Sequence, residues 1–225
     1  MQTILGANGQ IAQELARELK RSYTDDLRLV SRNPRKVNQS DVLIAADLLD
    51  AQQTLEAAKG SDTLYFVAGL PPDSALWEKQ FPTMLKNALD ASRSVGAHFV
   101  YFDNTYMYPQ NSDVQTEETP FAPKGRKGQV RALMANMVLK EMEQKNIPVT
   151  LGRAPEFYGP GKTQSFTNAL IIDNSRRMKN RVSLYVTIHY VPLSGHLTPA
   201  VRWLFLAMHP ILPVRRGTCR AAMID

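Results

Sequence analysis

The sequence predicts an α/β protein built on a doubly wound parallel sheet. Short apolar segments alternate with amphipathic helical segments over residues 1–151. This alternation is typical of parallel strands joined by right-handed helical crossovers. In the segment 63–67 every residue after Thr63 is apolar, as expected of a strand covered on both faces. A strand, a glycine turn and a helix also follow one another within residues 1–21, which is how a Rossmann-like sheet begins.

Each element follows from its own apolar pattern. Trp77 and Phe81, four residues apart, are expected in the core, and Pro82 predicts a kink or a new start in the third helix. A polar loop over 110–127 precedes the last helix. The apolar face of that helix is predicted to hold Val130, Leu133, Met134, Met137, Val138 and Met142. The predicted strands are 3–5, 27–30, 42–46, 63–67, 98–102 and 149–151, and the helices are 11–21, 51–59, 74–94 and 129–146.

The composition is that of a soluble globular protein. Apolar residues make up 44% and charged residues 21% of the 225 positions, enough for one domain or a domain with a small lobe. The single cysteine, Cys219, excludes an internal disulfide framework and fits a reducing compartment. The chain enters a strand at once, which leaves no room for a signal peptide, and the most apolar stretch, 197–214, contains an arginine and three prolines. We therefore expect a cytoplasmic protein without a membrane span.

The net charge of +6 lies in the last quarter of the chain. Residues 174–225 hold eight basic residues and one acid, whereas residues 1–173 hold 19 basic and 20 acidic residues. The basic segment has no dense Lys/Arg cluster and no basic amphipathic helix, so nucleic-acid or membrane binding is not expected. The spacings of its metal-binding residue types match no compact zinc pattern, and no metal site is predicted. Those residues are His189, His196, His209 and Cys219.

The glycine turn after the first strand has the form Gly6-x-x-Gly9-x-x-Ala12. Gly6 permits a tight turn, Gly9 leaves room for phosphates, and Ala12 lets the helix pack closely on its strand. The amino terminus of the helix offers free N–H groups to an anion. Together these features predict a site for the pyrophosphate of a dinucleotide. The predicted contacts are Gly6, Asn8, Gly9, Gln10 and Ile11.

The end of the second strand bears on the choice of cofactor. An NAD site usually places an acidic residue there to bind the ribose 2′-hydroxyl, whereas a 2′-phosphate needs positive charge. The sequence has no acid at this point but Ser31, Arg32, Arg35 and Lys36. NADP is therefore favoured over NAD, with Arg32 as the predicted phosphate contact. The alternative is a solvated basic loop.

Two further strand ends are candidates for cofactor contacts. Asp47 and Leu48 follow the third strand, where Asp47 is a candidate for the adenine amino group. Alternatively, Asp47 or Asp50 only caps the next helix. Ala68 and Gly69 follow the fourth strand and are small enough for ribose and nicotinamide to approach the backbone.

Five segments carry a resemblance to a known family. They are LGANGQIA, DLLD, FVYFDNTYMYP, RKGQVR and GRAPEFYGPG, in that order over residues 1–162. In these segments the chain resembles the short-chain dehydrogenase/reductase superfamily, in its NAD-dependent epimerase/dehydratase branch. The resemblance implies binding of NAD or NADP, and oxidation, reduction, epimerisation or dehydration of sugar nucleotides or related alcohols and ketones.

The family pattern also implies a catalytic set from which this chain departs. In the family, a Tyr whose pKa is lowered by the Lys of Tyr-x-x-x-Lys exchanges a proton with the substrate oxygen, and a Ser or Thr binds that oxygen. The Ser/Thr position falls on Asn104. Matching the lysine to Lys127 puts Pro123 at the tyrosine position, and matching PYGxSK to PKGRKG puts Lys124 there.

The predicted catalytic residues are Tyr106 as proton donor, supported by Lys127 and Asn104. The alternative role of Tyr106 is structural. Three functions follow: an NADP-dependent oxidoreductase or epimerase with a small-molecule substrate, a non-catalytic NADP-binding sensor, or a truncated inactive product. We expect a monomer or homodimer.

The last part of the chain predicts a reduced or degenerate substrate lobe. Residues 182–223 contain no acidic residue, and the family motifs end before them. We therefore divide the chain into a dinucleotide-binding domain, 1–173, and a remnant lobe, 174–225, which is disordered, degenerate or read in a shifted frame. Translation of the gene in the other two frames tests this hypothesis, because a frameshift predicts that one of them restores an acidic, family-like sequence.

Overall fold

The computed structural model describes residues 1–111 and 113–154. The predicted lobe, 174–225, and its boundary at residue 173 lie outside them. The strands are β1 (Gln2–Leu5), β2 (Leu27–Ser31), β3 (Val42–Ala45), β4 (Thr63–Phe66), β5 (His98–Asp103) and β6 (Val149–Arg153). The helices are α1 (Gln10–Ser22), α2 (Ala51–Ala58), α3 (Ser74–Val95) and α4 (Gly125–Gln144).

The six strands form one parallel sheet in the order β3-β2-β1-β4-β5-β6. At the centre of the sheet, Leu5 of β1 lies beside Val30 of β2 and Phe66 of β4. The chain extends the sheet from β1 to β3 and then returns to add β4 on the other side of β1. The doubly wound, Rossmann-like prediction is therefore confirmed, and a crevice is expected where the carboxyl ends of β1 and β4 diverge. No helix in the described part of the chain could cross a membrane.

Alternate side chains of the inner strands enter two separate cores. Ile4 packs with Leu15 on the face of the sheet covered by α1. Its neighbour Leu5 points to the opposite face and joins the larger core, which includes Phe66 and Phe81. Because both faces are covered, the inner strands are apolar at successive positions. Burial of each large side chain contributes about 1.5–3 kcal/mol, so this double core is the main source of stability.

The ends of α2 and α3 are set by local capping groups. Asp50 caps α2 by accepting a hydrogen bond from the Gln53 amide, and Asp73 caps α3. Helix α3 continues through Pro82 to Val95, and its C-cap Gly96 has a left-handed φ of 69°. Proline therefore does not start a new helix here. Trp77 packs edge-on against Phe81, one turn further along the helix, in the core, as predicted.

Helix α4 differs from its prediction in two respects. It begins at Gly125 instead of residue 129. The prediction missed the first turn because that turn is polar, contains glycine and carries no apolar periodicity. Leu133 and Met142, predicted on the buried face, are 51% and 39% exposed. A helix turns about 100° per residue, so these two side chains fall on opposite edges of the buried stripe centred on Met134. Glu141 lies within that stripe and is buried in an ion pair with an arginine of α3.

Candidate functional site

The glycine turn lies where the sheet changes direction. Gly6 has a φ of 94°, and its amide donates to the Val30 carbonyl. A Cβ atom at Gly6 would lie 2.5 Å from the Cα of Ala68, in the segment after β4. Any larger residue would therefore collide with backbone as well as being strained. The predicted residues Gly6 and Ala68 are brought together at the carboxyl ends of β1 and β4, where the crevice is expected.

The amino terminus of α1 fits an anion. Gly9 is its N-cap, so there is no side-chain cap, and no acidic residue occupies the first turn. A Cβ at Gly9 would make ordinary van der Waals contact with the Gly6 carbonyl oxygen at 3.5 Å, so packing within the described chain does not by itself require glycine there. N–H groups of the first turn and the positive end of the helix dipole stabilise a phosphate at such a place. The arrangement fits the pyrophosphate of a dinucleotide, with Gln10 and Ile11 in the first turn.

The loop after β2 is held beside this turn. Asn8 donates from Nδ2 to the Asn33 carbonyl oxygen at 2.8 Å, which joins the glycine turn to the basic loop. Arg32 is exposed and makes no ion pair with a described residue. Ser31, before it, has a buried hydroxyl without a hydrogen-bond partner in the described part of the chain. This geometry places positive charge near the predicted ribose, and the contact with a 2′-phosphate stays a prediction.

The structure separates the roles of the two aspartates after β3. Asp50 caps α2, whereas Asp47 accepts the Leu49 amide at 3.0 Å. Asp47 is therefore not needed as the helix cap, and it lies at the carboxyl edge of the sheet. The Leu48 side chain is buried in the core, so only its backbone is suited to contact a cofactor. Gly69 is exposed, with nothing within 4 Å of the place a Cβ would take.

Two of the three predicted catalytic residues, Tyr106 and Lys127, lie against Trp77 of α3, and Asn104 is hydrogen-bonded to the Tyr106 backbone. Asn104 follows β5, and its Oδ1 accepts a hydrogen bond from the Tyr106 amide at 3.1 Å. The Tyr106 ring is stacked on Trp77, with 6.3 Å between centroids and 7° between planes. The ammonium of Lys127 lies 5.1 Å from the centroid of the Trp77 ring. Sequence reasoning placed Trp77 in the core and missed its second role, which is to bring the loop after β5 and the start of α4 together.

Gly128 makes the start of α4 unlike the family pattern. A Cβ at Gly128 would lie 2.8 Å from the backbone oxygen of Tyr106. In the register that matches PYGxSK to PKGRKG, Gly128 occupies the position of the family's lysine. A side chain there would have to displace the loop, so the usual tyrosine–lysine pair does not form in that register. The only sequence signal was the glycine itself in the first helical turn, where glycine has a low propensity.

A buried ionic cluster lies under the loop after β5. Asp103 stands between two guanidinium groups, with Arg131 Nη1 3.6 Å from Oδ1 and Arg153 Nε 3.8 Å from Oδ2. Arg153 also donates to the Tyr108 hydroxyl at 2.8 Å. Burial raises the pKa of the Asp103 carboxyl, against the opposing attraction of Arg131. Burial likewise raises the pKa of Tyr101, which donates to Asp103. The sequence showed only an aspartate at the end of an apolar strand, and neither arginine was predicted.

The family model for the NAD dependent epimerase/dehydratase family matches residues 3–206 of the sequence. The chain belongs to this family. The match reaches beyond residue 162, where the recognised motifs end, and therefore includes part of the predicted remnant lobe. No curated protein sequence matches the chain.

Solved structures support the same fold. MoeE5 in complex with UDP-glucuronic acid and NAD is 22% identical with a TM-score of 0.63, and the match covers 76% of this chain and 59% of that one. The uronate dehydrogenase from Agrobacterium tumefaciens is 18% identical with a TM-score of 0.57, and the match covers 65% and 57%. The chain thus spans little more than half the length of these proteins. At such identities the likeness establishes the fold and not the substrate.

Proposed function

We propose that the protein binds a nicotinamide dinucleotide at the glycine turn and acts as an oxidoreductase of the epimerase/dehydratase type. The observation that carries this proposal is the close approach of Gly6 to Ala68 beside the uncapped start of α1. Only glycine fits at Gly6, and the first turn of α1 beside it offers N–H groups that no side chain caps. Gly6, Asn8, Gly9, Gln10 and Ile11 would hold the pyrophosphate, with Asp47, Leu48, Ala68 and Gly69 beside the adenosine and nicotinamide parts.

We propose NADP as the preferred cofactor, with NAD as the alternative. The support is the absence of an acid in the segment 31–36 and the exposure of Arg32 next to the Asn8–Asn33 hydrogen bond. A guanidinium binds a phosphate by paired, charge-assisted hydrogen bonds. An NAD site in a relative, such as the one named in the MoeE5 complexes, does not decide this chain's preference.

The substrate class we propose is a sugar nucleotide or a small carbonyl or alcohol compound. Support comes from membership of the family and from neighbours whose names include UDP-glucuronic acid and uronate. The nicotinamide would supply or accept hydride. Tyr106 would exchange the proton with the substrate oxygen, Asn104 would hold the loop that carries Tyr106, and Lys127 would add positive charge beside the shared Trp77 ring.

A second function, cofactor binding without turnover, is favoured by one specific observation. The close packing of Gly128 on the Tyr106 backbone leaves no room for a lysine at that position. A protein that keeps the phosphate site but lacks the tyrosine–lysine pair is suited to sense the cofactor. In this case NADPH would bind to the protein, but no added substrate would oxidise the bound NADPH.

The remaining proposals concern the setting of the protein. We propose a cytoplasmic location on the basis of the single cysteine and the ordinary composition. A monomer or homodimer with small-molecule partners, and without nucleic acid or membrane, fits the near-neutral charge of residues 1–173. We also propose the domain boundary at residue 173, with the remnant lobe after it.

Titration of the full chain with NADPH and with NADH, followed by intrinsic fluorescence, tests the cofactor proposal. We expect saturable binding and tighter binding of NADPH. Equal affinities, or tighter NADH, would contradict the role of Arg32. Absorbance at the NADPH band in the presence of uronates, UDP-sugars and small carbonyl compounds then separates net oxidation or reduction of a substrate from cofactor binding without turnover.

A further inference from the structure

Five side chains form a closed circuit of contacts around the loop after β5. Arg131 pairs with Asp103, with 3.6 Å between Nη1 and Oδ1. The same Oδ1 accepts the Asn104 amide at 2.9 Å, and Asn104 in turn accepts the Tyr106 amide. Tyr106 is stacked on Trp77, and the Arg131 guanidinium lies 5.0 Å from the centroid of that ring. The circuit therefore begins and ends at Arg131.

Arg131 makes contacts in this circuit that a different cation would not reproduce. Its side chain is only 11% exposed, and its guanidinium lies 4.5 Å from the Phe81 centroid as well as over Trp77. Its Nη1 also reaches the Tyr101 hydroxyl at 3.4 Å. A planar guanidinium can stack on aromatic rings while its edge faces a carboxylate, whereas a lysine ammonium is a single point of charge.

We propose that Arg131 is a positioning residue that sets the placement of Tyr106. Through Asp103 and Asn104 it fixes the backbone on which Tyr106 stands, and through Trp77 it fixes the surface against which the Tyr106 ring lies. Arg131 acts through these groups and is not assigned to the substrate or the cofactor. The catalytic part of this proposal rests on the proposed function, in which Tyr106 is the proton donor.

The surroundings of Asp103 make the test practicable. Removal of Arg131 leaves the carboxylate next to Arg153, at 3.8 Å, and hydrogen-bonded to the Asn104 amide. Substitution of Arg131 therefore does not strand a lone buried charge, which is the usual reason for such a variant to unfold. Arg126 supplies a matched control on the same helix, because it pairs with Glu78 at the surface and has no part in the circuit.

The first measurement reports the surroundings of the Trp77 ring, which Tyr106 and Arg131 both contact. The chain has two tryptophans, so a Trp203→Phe background leaves Trp77 as the only indole. Near-ultraviolet circular dichroism of Arg131→Met, Arg131→Lys and Arg126→Met in this background is compared with that of a Tyr106→Leu reference. We expect Arg131→Met to lose the aromatic signal as far as the Tyr106→Leu reference does, and we expect Tyr106→Leu to cause no further loss in the Arg131→Met chain. A further loss there would mean that Arg131 affects the signal only through its own contact with Trp77, and would overturn the proposal. Arg131→Lys should recover part of the signal, and Arg126→Met should keep all of it.

The second measurement separates positioning from binding. With a turned-over substrate, Arg131→Met should lower kcat about 10- to 100-fold, because small misplacements of a reacting group have effects of that size. The Kd for NADPH should change by less than about twofold, because the glycine turn shares no partner with Arg131. A fall of kcat in Arg126→Met equal to that in Arg131→Met would overturn the proposal.

The outcomes distinguish failure of this proposal from failure of the proposed function. An aromatic signal in folded Arg131→Met that matches the parent refutes the positioning role whether or not turnover exists. If the parent protein shows no NADPH binding or no turnover, the proposed function is refuted. The circular dichroism measurement then still decides whether Arg131 positions Tyr106. If Arg131→Met does not fold, Arg131→Lys decides, and full retention of the signal there overturns the proposal.

Discussion

Replacement of Gly6 by alanine perturbs the predicted phosphate site at its most constrained point. A non-glycine residue at the φ of 94° adopted by Gly6 costs about 1–2 kcal/mol in the free energy of unfolding. The new Cβ would also lie 2.5 Å from the Ala68 Cα. Ordinary carbon contacts begin near ~3.5 Å, so the turn must move away from Ala68 by about 1 Å.

The displacement should weaken cofactor binding more than it weakens the fold. A hydrogen bond to a charged group contributes about 1.5–3 kcal/mol, so the loss of one N–H contact to the pyrophosphate raises Kd about 10- to 100-fold. The assay is fluorescence titration with NADPH, together with urea unfolding of the same samples.

Gly60 supplies the control for backbone strain. It has a similar φ of 72°, but a Cβ there meets nothing within 4 Å. It also lies before β4, at the amino ends of the strands and away from the glycine turn. Gly60→Ala should cost about 1–2 kcal/mol of stability and leave the Kd unchanged. Parent-like NADPH binding by Gly6→Ala, or an equal rise of Kd in Gly60→Ala, would refute the reasoning from the glycine turn.

Three other predictions address separate parts of the molecule. Arg32→Ser should raise the Kd for NADPH about tenfold through loss of a charge-assisted contact and leave NADH unchanged; equal weakening of both in paired titrations would contradict it. Gly128→Ala should lower the unfolding midpoint despite alanine's helix propensity, because its Cβ meets the Tyr106 oxygen at 2.8 Å; a raised midpoint in thermal unfolding would show that the loop yields freely. Burial lowers the pKa of His98, which is half-buried and hydrogen-bonded to Thr150. The neutral imidazole therefore contributes stability that is fully present above pH 6.5 and is lost as the pH falls through the pKa of His98 in the folded protein. In urea unfolding from pH 5 to 7.5, the free energy of unfolding of His98→Gln should therefore depend less on pH than that of the parent. The difference in slope should stay below the one-proton limit of about 1.4 kcal/mol per pH unit, because the ring is partly solvated. Equal slopes in the two proteins would contradict this prediction.

The element order of the described chain could be predicted because each element carries a local signal. Alternating apolar periodicities gave the strands and helices, and the glycine spacing gave the turn between β1 and α1. The predicted start of α4 was wrong because its first turn is polar and is set by a contact across space, the close approach of Gly128 to the Tyr106 backbone. The burial of Leu133 and Met142 was wrong because a stripe of apolar residues is wider than the contact that buries it.

The candidate site divides in the same way. The predicted phosphate site could be read from the sequence, since a tight turn, a small residue and a helix start are all encoded within residues 6–12. The gathering of Tyr106 and Lys127 around Trp77 was not, because these residues come from three separate elements. The apolar periodicity predicts only that Trp77 is buried. It does not predict the neighbours of Trp77, because these depend on how α3 and α4 pack.

By itself, the sequence determined the class of the fold, the position of the glycine turn and membership of a dinucleotide-dependent family. Those properties depend on short-range geometry, where the spacing of residues along the chain is also their spacing in the molecule. Only the tertiary structure decided that Gly128 packs on the Tyr106 backbone and that Arg131 and Arg153 enclose Asp103. Contacts of that kind depend on the docking of β5, β6 and α4, which results from the packing of the whole core. Such packing produces no periodic pattern that could be recognised in the sequence.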